Sequence, residues 1–414
     1  MMKRTCSALR FLFPVILIIL LPALVSCGRG GSSSLKKESL FSMEFGKMED
    51  QLNVFHRPDN NSLYKDRIFM QNGIFYISNG PSSKIMEFNS YGDIINLFYN
   101  QDQNPEPVML RKKPEENVAA TRNVYAYPFQ DVGEMAVNSQ KTLFVDDRID
   151  RNRIEYDSAL EVSLDRIILQ FDKAGNFLDY LGQEGSGGTP FSAIDKIRIN
   201  QRDELAVFTR NKTGWKIFWF SSAGTPLYTV DIGNDSLPFP GTDEEQYGFS
   251  ALETIDCDTV ERTLYLKGDY YIDYSQVLNT ERTGIEFSRS VIWFMDVATG
   301  RYTGSVEIPA YTRQENGGGN GKEESPLIYE LLGVQGRGNF FLISLNGRND
   351  YNLMIMDQDG KVNLRRQISL GEDRLIFHSF SVDAQGILTG LLGWENRAEV
   401  AWWRTDEFIQ PEEP

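Results

Sequence analysis

Ile168-Leu-Gln-Phe-Asp-Lys-Ala-Gly175 decides the fold, because the chain repeats it. The other copies are Ile85-Met-Glu-Phe-Asn-Ser-Tyr-Gly92, Ile217-Phe-Trp-Phe-Ser-Ser-Ala-Gly224, Ile292-Trp-Phe-Met-Asp-Val-Ala-Thr-Gly300 and Leu353-Met-Ile-Met-Asp-Gln-Asp-Gly360. Each reads as a hairpin: strand formers, a polar turn, and Gly where φ must be positive. Recurrence at irregular spacings marks a repeat architecture with insertions. A second pattern, Phe-x-x-apolar-x-x-apolar-x-apolar, precedes three of the hairpins: Phe129/Val132/Met135/Val137, Phe191/Ile194/Ile197/Ile199 and Phe249/Leu252/Ile255/Cys257. Phe377-His-Ser-Phe380 begins a fourth copy. Each copy leads through a short polar turn into another strand, so one unit is four strands, A to D, in meander order.

Six units follow, near 66–99, 129–182, 191–233, 249–309, 326–371 and 377–404. The sixth stops after its third strand. Ser39-Leu-Phe-Ser-Met-Glu-Phe45 alternates apolar and polar and lies ahead of the first unit, so it supplies the missing fourth strand. That closes a ring without an open edge. Four-stranded sheets repeated radially make an all-β propeller of six blades. A seventh blade follows if residues 100–128 or 269–289 form a further sheet. The pattern resembles the NHL-like six-bladed propellers, whose strands end in a turn of the Phe-Asp-x-x-Gly type. The resemblance implies the fold over residues 39–409 and leaves the role open, because propellers host many.

The start of the chain gives an address. Lys3, Arg4 and Arg10 precede an apolar run, Phe11–Val25, interrupted by Pro14 and Pro22. Its length is short for a bilayer span of about 20 residues and suits a signal-peptide core. Leu24-Val-Ser-Cys27 resembles the bacterial lipobox. That resemblance implies cleavage after residue 26, a lipid thioether on Cys27 and an acylated amino terminus. Residues 27–38 then form an acylated Cys and a Gly/Ser-rich tether, and 410–414 a short tail. Gly28, rather than Asp, after the Cys implies outer-membrane sorting in the bacterial cell envelope.

Composition narrows the partners. Lys and Arg total 42 against 58 Asp and Glu, a net charge of −16. Removal of 1–26, which carries no acid, makes the balance more negative. Nucleic-acid binding and a polybasic membrane patch are therefore excluded. Three Cys and two His exclude a disulfide scaffold and a multi-His metal centre. Asp256-Cys-Asp258 reads as a strand whose Cys257 fills the apolar slot held by Val137 and Ile199. Neither a nucleophile elbow nor a phosphate loop in strand-to-helix context occurs.

Meander parity places the function. The A–B and C–D turns are tight and share one end of the disc. The long insertions are the B–C loops Asp146–Asp165 and Gly268–Arg289 and the D–A links Asn100–Pro128, Gly233–Gly248 and Ala310–Ser325. All fall at the other end, where binding loops on a rigid scaffold belong. Asp147, Arg148, Arg151 and Tyr156 on the first loop, and Tyr270, Tyr271, Asp273 and Tyr274 on the second, are the candidate partner contacts. The leading expectation is a lipid-anchored, non-catalytic module that needs no cofactor and binds an envelope protein. One alternative is a hydrolase of the calcium-dependent lactonase kind, with the ion in the central channel near Glu134, Asp195 and Glu253. His56 and His378 are then candidates for the channel mouth. A second alternative is carbohydrate or small-ligand capture by the Tyr-Asp loop.

Overall fold

The computed structural model describes residues 34–54, 66–108, 110, 122–239, 247–277, 281–314, 324–371 and 374–409. The expected signal segment, Cys27, His56, nearly all of the Gly-rich stretch near 314–324 and the tail 410–414 lie outside the described residues.

Strands pair as six antiparallel meanders. Blade one is Asp66–Gln71, Ile74–Asn79, Lys84–Phe88 and Ile94–Tyr99. Blade two is Met135–Val137, Leu143–Arg148, Arg166–Phe171 and Phe177–Gly182, and blade three Ile194–Ile199, Leu205–Arg210, Gly214–Phe220 and Pro226–Gly233. Blade four is Gly248–Cys257, Thr263–Asp273, Ile285–Asp296 and Arg301–Ile308; blade five is Glu330–Gln335, Asn339–Leu345, Asp350–Met356 and Val362–Ser369. Blade six has Phe377–Val382, Leu388–Gly393 and Arg397–Trp403, and Glu38–Glu44 adds to it as the outer strand. The ring has six blades. Among the described residues, neither 100–128 nor 269–289 makes a seventh: Asn123–Ala126 adds parallel to the edge of blade one, and 269–273 and 285–289 lengthen the B–C hairpin of blade four.

The hairpin glycines behave as their spacing requires. Gly92, Gly175, Gly224, Gly300 and Gly360 all lie at φ between 65° and 84°, a region open to Gly at little cost. The apolar slots pack between blades rather than within them. Trp219 of blade three and Ile255 and Leu266 of blade four share one buried cluster, and Cys257 lies in it. Burying side chains of this size contributes about 1.5–3 kcal/mol each.

Two devices hold the ring. At the turn end, the A–B turns of blades one to five are each tied to the next blade. Gln71 Nε2 donates to the Asn138 carbonyl (3.4 Å), Ser139 Oγ to Asp203 (2.6 Å) and the Gln201 N–H to the Thr259 carbonyl (2.7 Å). Thr259 Oγ1 donates to the Gly336 carbonyl (3.4 Å), and Gln335 Nε2 to the Ala384 carbonyl (3.1 Å). These links run from blade one to blade six. The closing strand is latched by Glu399, which pairs with Lys37 (3.1 Å) and accepts from Ser39 Oγ and Trp394 Nε1. Behind it, buried Lys84 donates to the carbonyls of Met48 and Gln51 (2.6 Å each), fixing the link from the closing strand to blade one.

Candidate functional site

Among the described residues, both expected B–C loops are partly strand. Asp146, Asp147 and Arg148 are strand residues, and the rest of that insertion folds as a short hairpin, Glu155–Asp157 against Val162–Leu164. Gly268 through Asp273 likewise belong to the long B strand of blade four, paired across to Ile285–Val291. A Cβ at 268 would meet Leu237 Cδ1 at 2.3 Å, so the end of that side chain would have to shift.

Strand membership changes what the candidate residues do. Asp147 is buried and accepts the N–H groups of Gln130 (3.1 Å) and Asp131 (2.7 Å), capping the entry to blade two. Burial pushes its carboxyl up to about 7 against those donors. Arg148 bridges Asp131 (3.3 Å) and Asp165 (3.2 Å) beside a buried fork, in which Arg166 meets both oxygens of Asp146 at 2.8 Å. Tyr270 is 1% exposed, donates to the Pro238 carbonyl and accepts from Trp293 Nε1. Tyr274 is buried under Arg282. Asp273 caps its own turn, accepting from Ser275 and Gln276. Asp147, Tyr270 and Tyr274 are thus buried and engaged in packing within the chain. Arg151, Tyr156 and Tyr271 remain accessible at the loop end.

Other side chains accompany them. Among the described residues, fourteen large apolar or aromatic side chains are exposed. Tyr91, Phe177, Leu178 and Leu227 lie at the turn end. The other ten lie at the loop end, including Phe249, Ile285, Ile328, Leu345 and Ile376. Phe249 stacks on Tyr271 (centroids 5.3 Å), and Tyr271 meets Phe287 edge-on (5.9 Å). Apolar side chains gathered on one face characterise binding surfaces.

The central channel is lined by the A strands, and several of their charges are paired. Arg67 meets Glu134 at 2.7 Å; Arg198 meets both oxygens of Asp256 at 3.1 Å, and Lys196 lies 3.5 Å from Asp256. Burial pushes Asp256 up, but the Arg198 and Lys196 charges outweigh that and hold it below its ordinary value. Asp195 and Glu253 point to solvent. Asp258 turns away from Asp256, accepting from Val260, Glu261 and Tyr265 Oη. His378 lies 3.4 Å from Tyr351 Oη. Among the described residues no three His, Cys, Asp or Glu side chains are grouped to hold a metal ion. A cavity of about 260 Å³ occupies the turn end of the channel, between Phe69, Val137, Arg198, Val334 and Val382.

No family profile matches the chain. No curated protein matches it. Among solved structures, an ulvan lyase superposes with a TM-score of 0.40 at 11% identity, over 90% of this chain and 96% of that one. A streptogramin B lyase gives 0.36 at 12%, over 88% and 99%. A luciferin-regenerating enzyme gives 0.38 at 6%, over 82% and 90%. Likenesses this distant carry none of those proteins' chemistry to this chain.

Proposed function

We propose that this propeller is a lipid-anchored, non-catalytic binding module of the bacterial envelope, and that its loop face receives a protein partner. One observation carries the reading: among the described residues, ten of the fourteen exposed large apolar side chains lie at that end, the stacked Phe249 of the Phe249–Tyr271 pair among them. Aromatic side chains with a polar handle anchor protein interfaces, because they bury area at low entropic cost. The turn end is instead tied blade to blade by its own hydrogen bonds. The anchor rests on the Leu24-Val-Ser-Cys27 pattern.

The test is co-purification from intact cells after cross-linking, comparing the full chain with the F249S/Y271S double variant. A recurrent envelope protein retained by the full chain and lost from the variant supports the reading. Recovery of nothing beyond background, with calcium-dependent melting of the purified chain, supports the hydrolase alternative. Recovery of nothing, with glycan-array binding that depends on Tyr271, supports carbohydrate capture.

A further inference from the structure

Blade one carries a polar row across its sheet. Tyr76, Glu87, Asn96 and Asn123 lie side by side across its B, C, D and added strands. Asn123 Nδ2 donates to Asn96 Oδ1 at 3.0 Å, and Asn96 Nδ2 donates to Glu87 Oε2 at 2.6 Å. The position of Glu87 in the hairpin repeat is held by Gln170, Trp219, Phe294 and Ile355 in blades two to five. In blade three, the side chain at this position is a fully buried Trp. In blade one, a cavity of about 450 Å³ stands between the row and blade two. That volume lies within the roughly 300–1,000 Å³ range of small-ligand sites.

The cavity has a built polarity. Its depth holds Glu87, 9% exposed, beside Tyr76, whose ring is buried. Its far wall is the A–B turn of blade two, Asn138–Lys141, and its rim includes Lys173 on the C–D turn. Lys141 sits at φ 63° in that turn. Burial raises the Glu87 carboxyl, while the Asn96 hydrogen bond and the Lys141 charge draw it down. A buried carboxylate with a single side-chain donor is under-stabilised in its charged form, and a cationic ligand group supplies what it lacks. The rim also holds Asp172, whose oxygens accept from Ala174 and Asn176; two lysines against this one carboxylate leave the rim net positive, which favours an anionic group on the same ligand.

We propose that this inter-blade cleft binds a small zwitterion of the free α-amino-acid class, its ammonium on Glu87 and its carboxylate toward Lys141 and Lys173. The site opens at the turn end and stands independently of the loop-face reading, so either holds if the other fails.

The test is calorimetry and thermal melting of the full chain in detergent with the twenty free amino acids. Each is paired with its decarboxylated amine and its deaminated acid. The expected result is binding of at least one amino acid, at least tenfold weaker for its amine and its acid. E87Q is expected to weaken that binding at least tenfold. K141A/K173A is expected to weaken the amino acid while leaving the amine unchanged. Should E87Q fail to fold, the lysine variant reads the same claim through the ligand carboxylate. No shift with any amino acid overturns the proposal. So does equal binding by the amine and the amino acid, or binding unchanged in a folded E87Q chain.

Discussion

Phe249 and Tyr271 stack with ring centroids 5.3 Å apart and planes 16° apart, at the loop end of blade four. Phe249 occupies the repeat slot that fully buries Phe129 in blade two and Phe191 in blade three, yet it is 45% exposed. The A strand of blade four starts at Gly248 and so carries its first aromatic beyond the core. The pair is a consequence of strand length, and it puts two rings where a partner can reach them.

Because Phe249 is half in solvent, removing the pair changes binding more than folding. F249S/Y271S is expected to cost about 1–2 kcal/mol of stability, the scale of one or two aromatic contacts. Urea unfolding checks this, and a collapse of the fold contradicts it.

Asp147 and Tyr156 separate packing from contact. D147A leaves the Gln130 and Asp131 N–H groups without their acceptor in a buried site. The expected loss is about 2–4 kcal/mol. Y156A alters a side chain that is 65% exposed and is expected to stay within about 0.5 kcal/mol of the parent. Equal melting temperatures for the two variants contradict the assignment.

Lys84 gives a pH signature at the ring closure. Burial drives its ammonium down to about 7, with Asp50, Glu49 and Asp66 opposing. From about pH 7 to 10.5 the unfolded chain holds a proton that the native chain does not. This group therefore adds stability as pH rises across that window, on the order of a few kcal/mol in full. K84M removes that slope and orphans the Met48 and Gln51 carbonyls. The stability difference, parent minus K84M, should widen from pH 7 to 10. A flat difference contradicts the burial argument.

Glu204 gives the acid counterpart. Its hydrogen bonds from Arg262, Trp219 and Asn200 hold it at about 2 and tie blade three to blade four. A carboxyl lowered in the native state stabilises it above about pH 4.5, and that contribution is lost as pH falls toward 2. The advantage of the parent over E204Q should be constant near neutrality and shrink below pH 4.5, measured by denaturant unfolding. An advantage unchanged at pH 3 contradicts this.

The architecture was legible because strand period, turn chemistry and repeat spacing are local signals. Gly175 and its equivalents mark the hairpins, and the alternation of Ser39–Phe45 marks the closing strand. Cys257 was placed in the core by its repeat slot, where it is 3% exposed. The contacts of the loop face were less legible. Tyr270 and Tyr271 are neighbours in one strand, and period two sends one into the core and the other outward. Composition registers both as interface residues, whereas only the length of the hairpin settles which is which. Ile285, Leu345 and Ile376 carry no mark in sequence that separates them from core apolar residues. Their exposure follows from lying where strands end.

The most direct measurement is site-specific photo-cross-linking in intact cells, with the reactive group placed at Ile285 or at Tyr91. Both positions are exposed, at 61% and 86%, on opposite ends of the disc. One recurrent protein adduct is expected from position 285 and none from position 91. An adduct from position 91 alone, or the same adduct from both, would contradict the loop face as the partner surface.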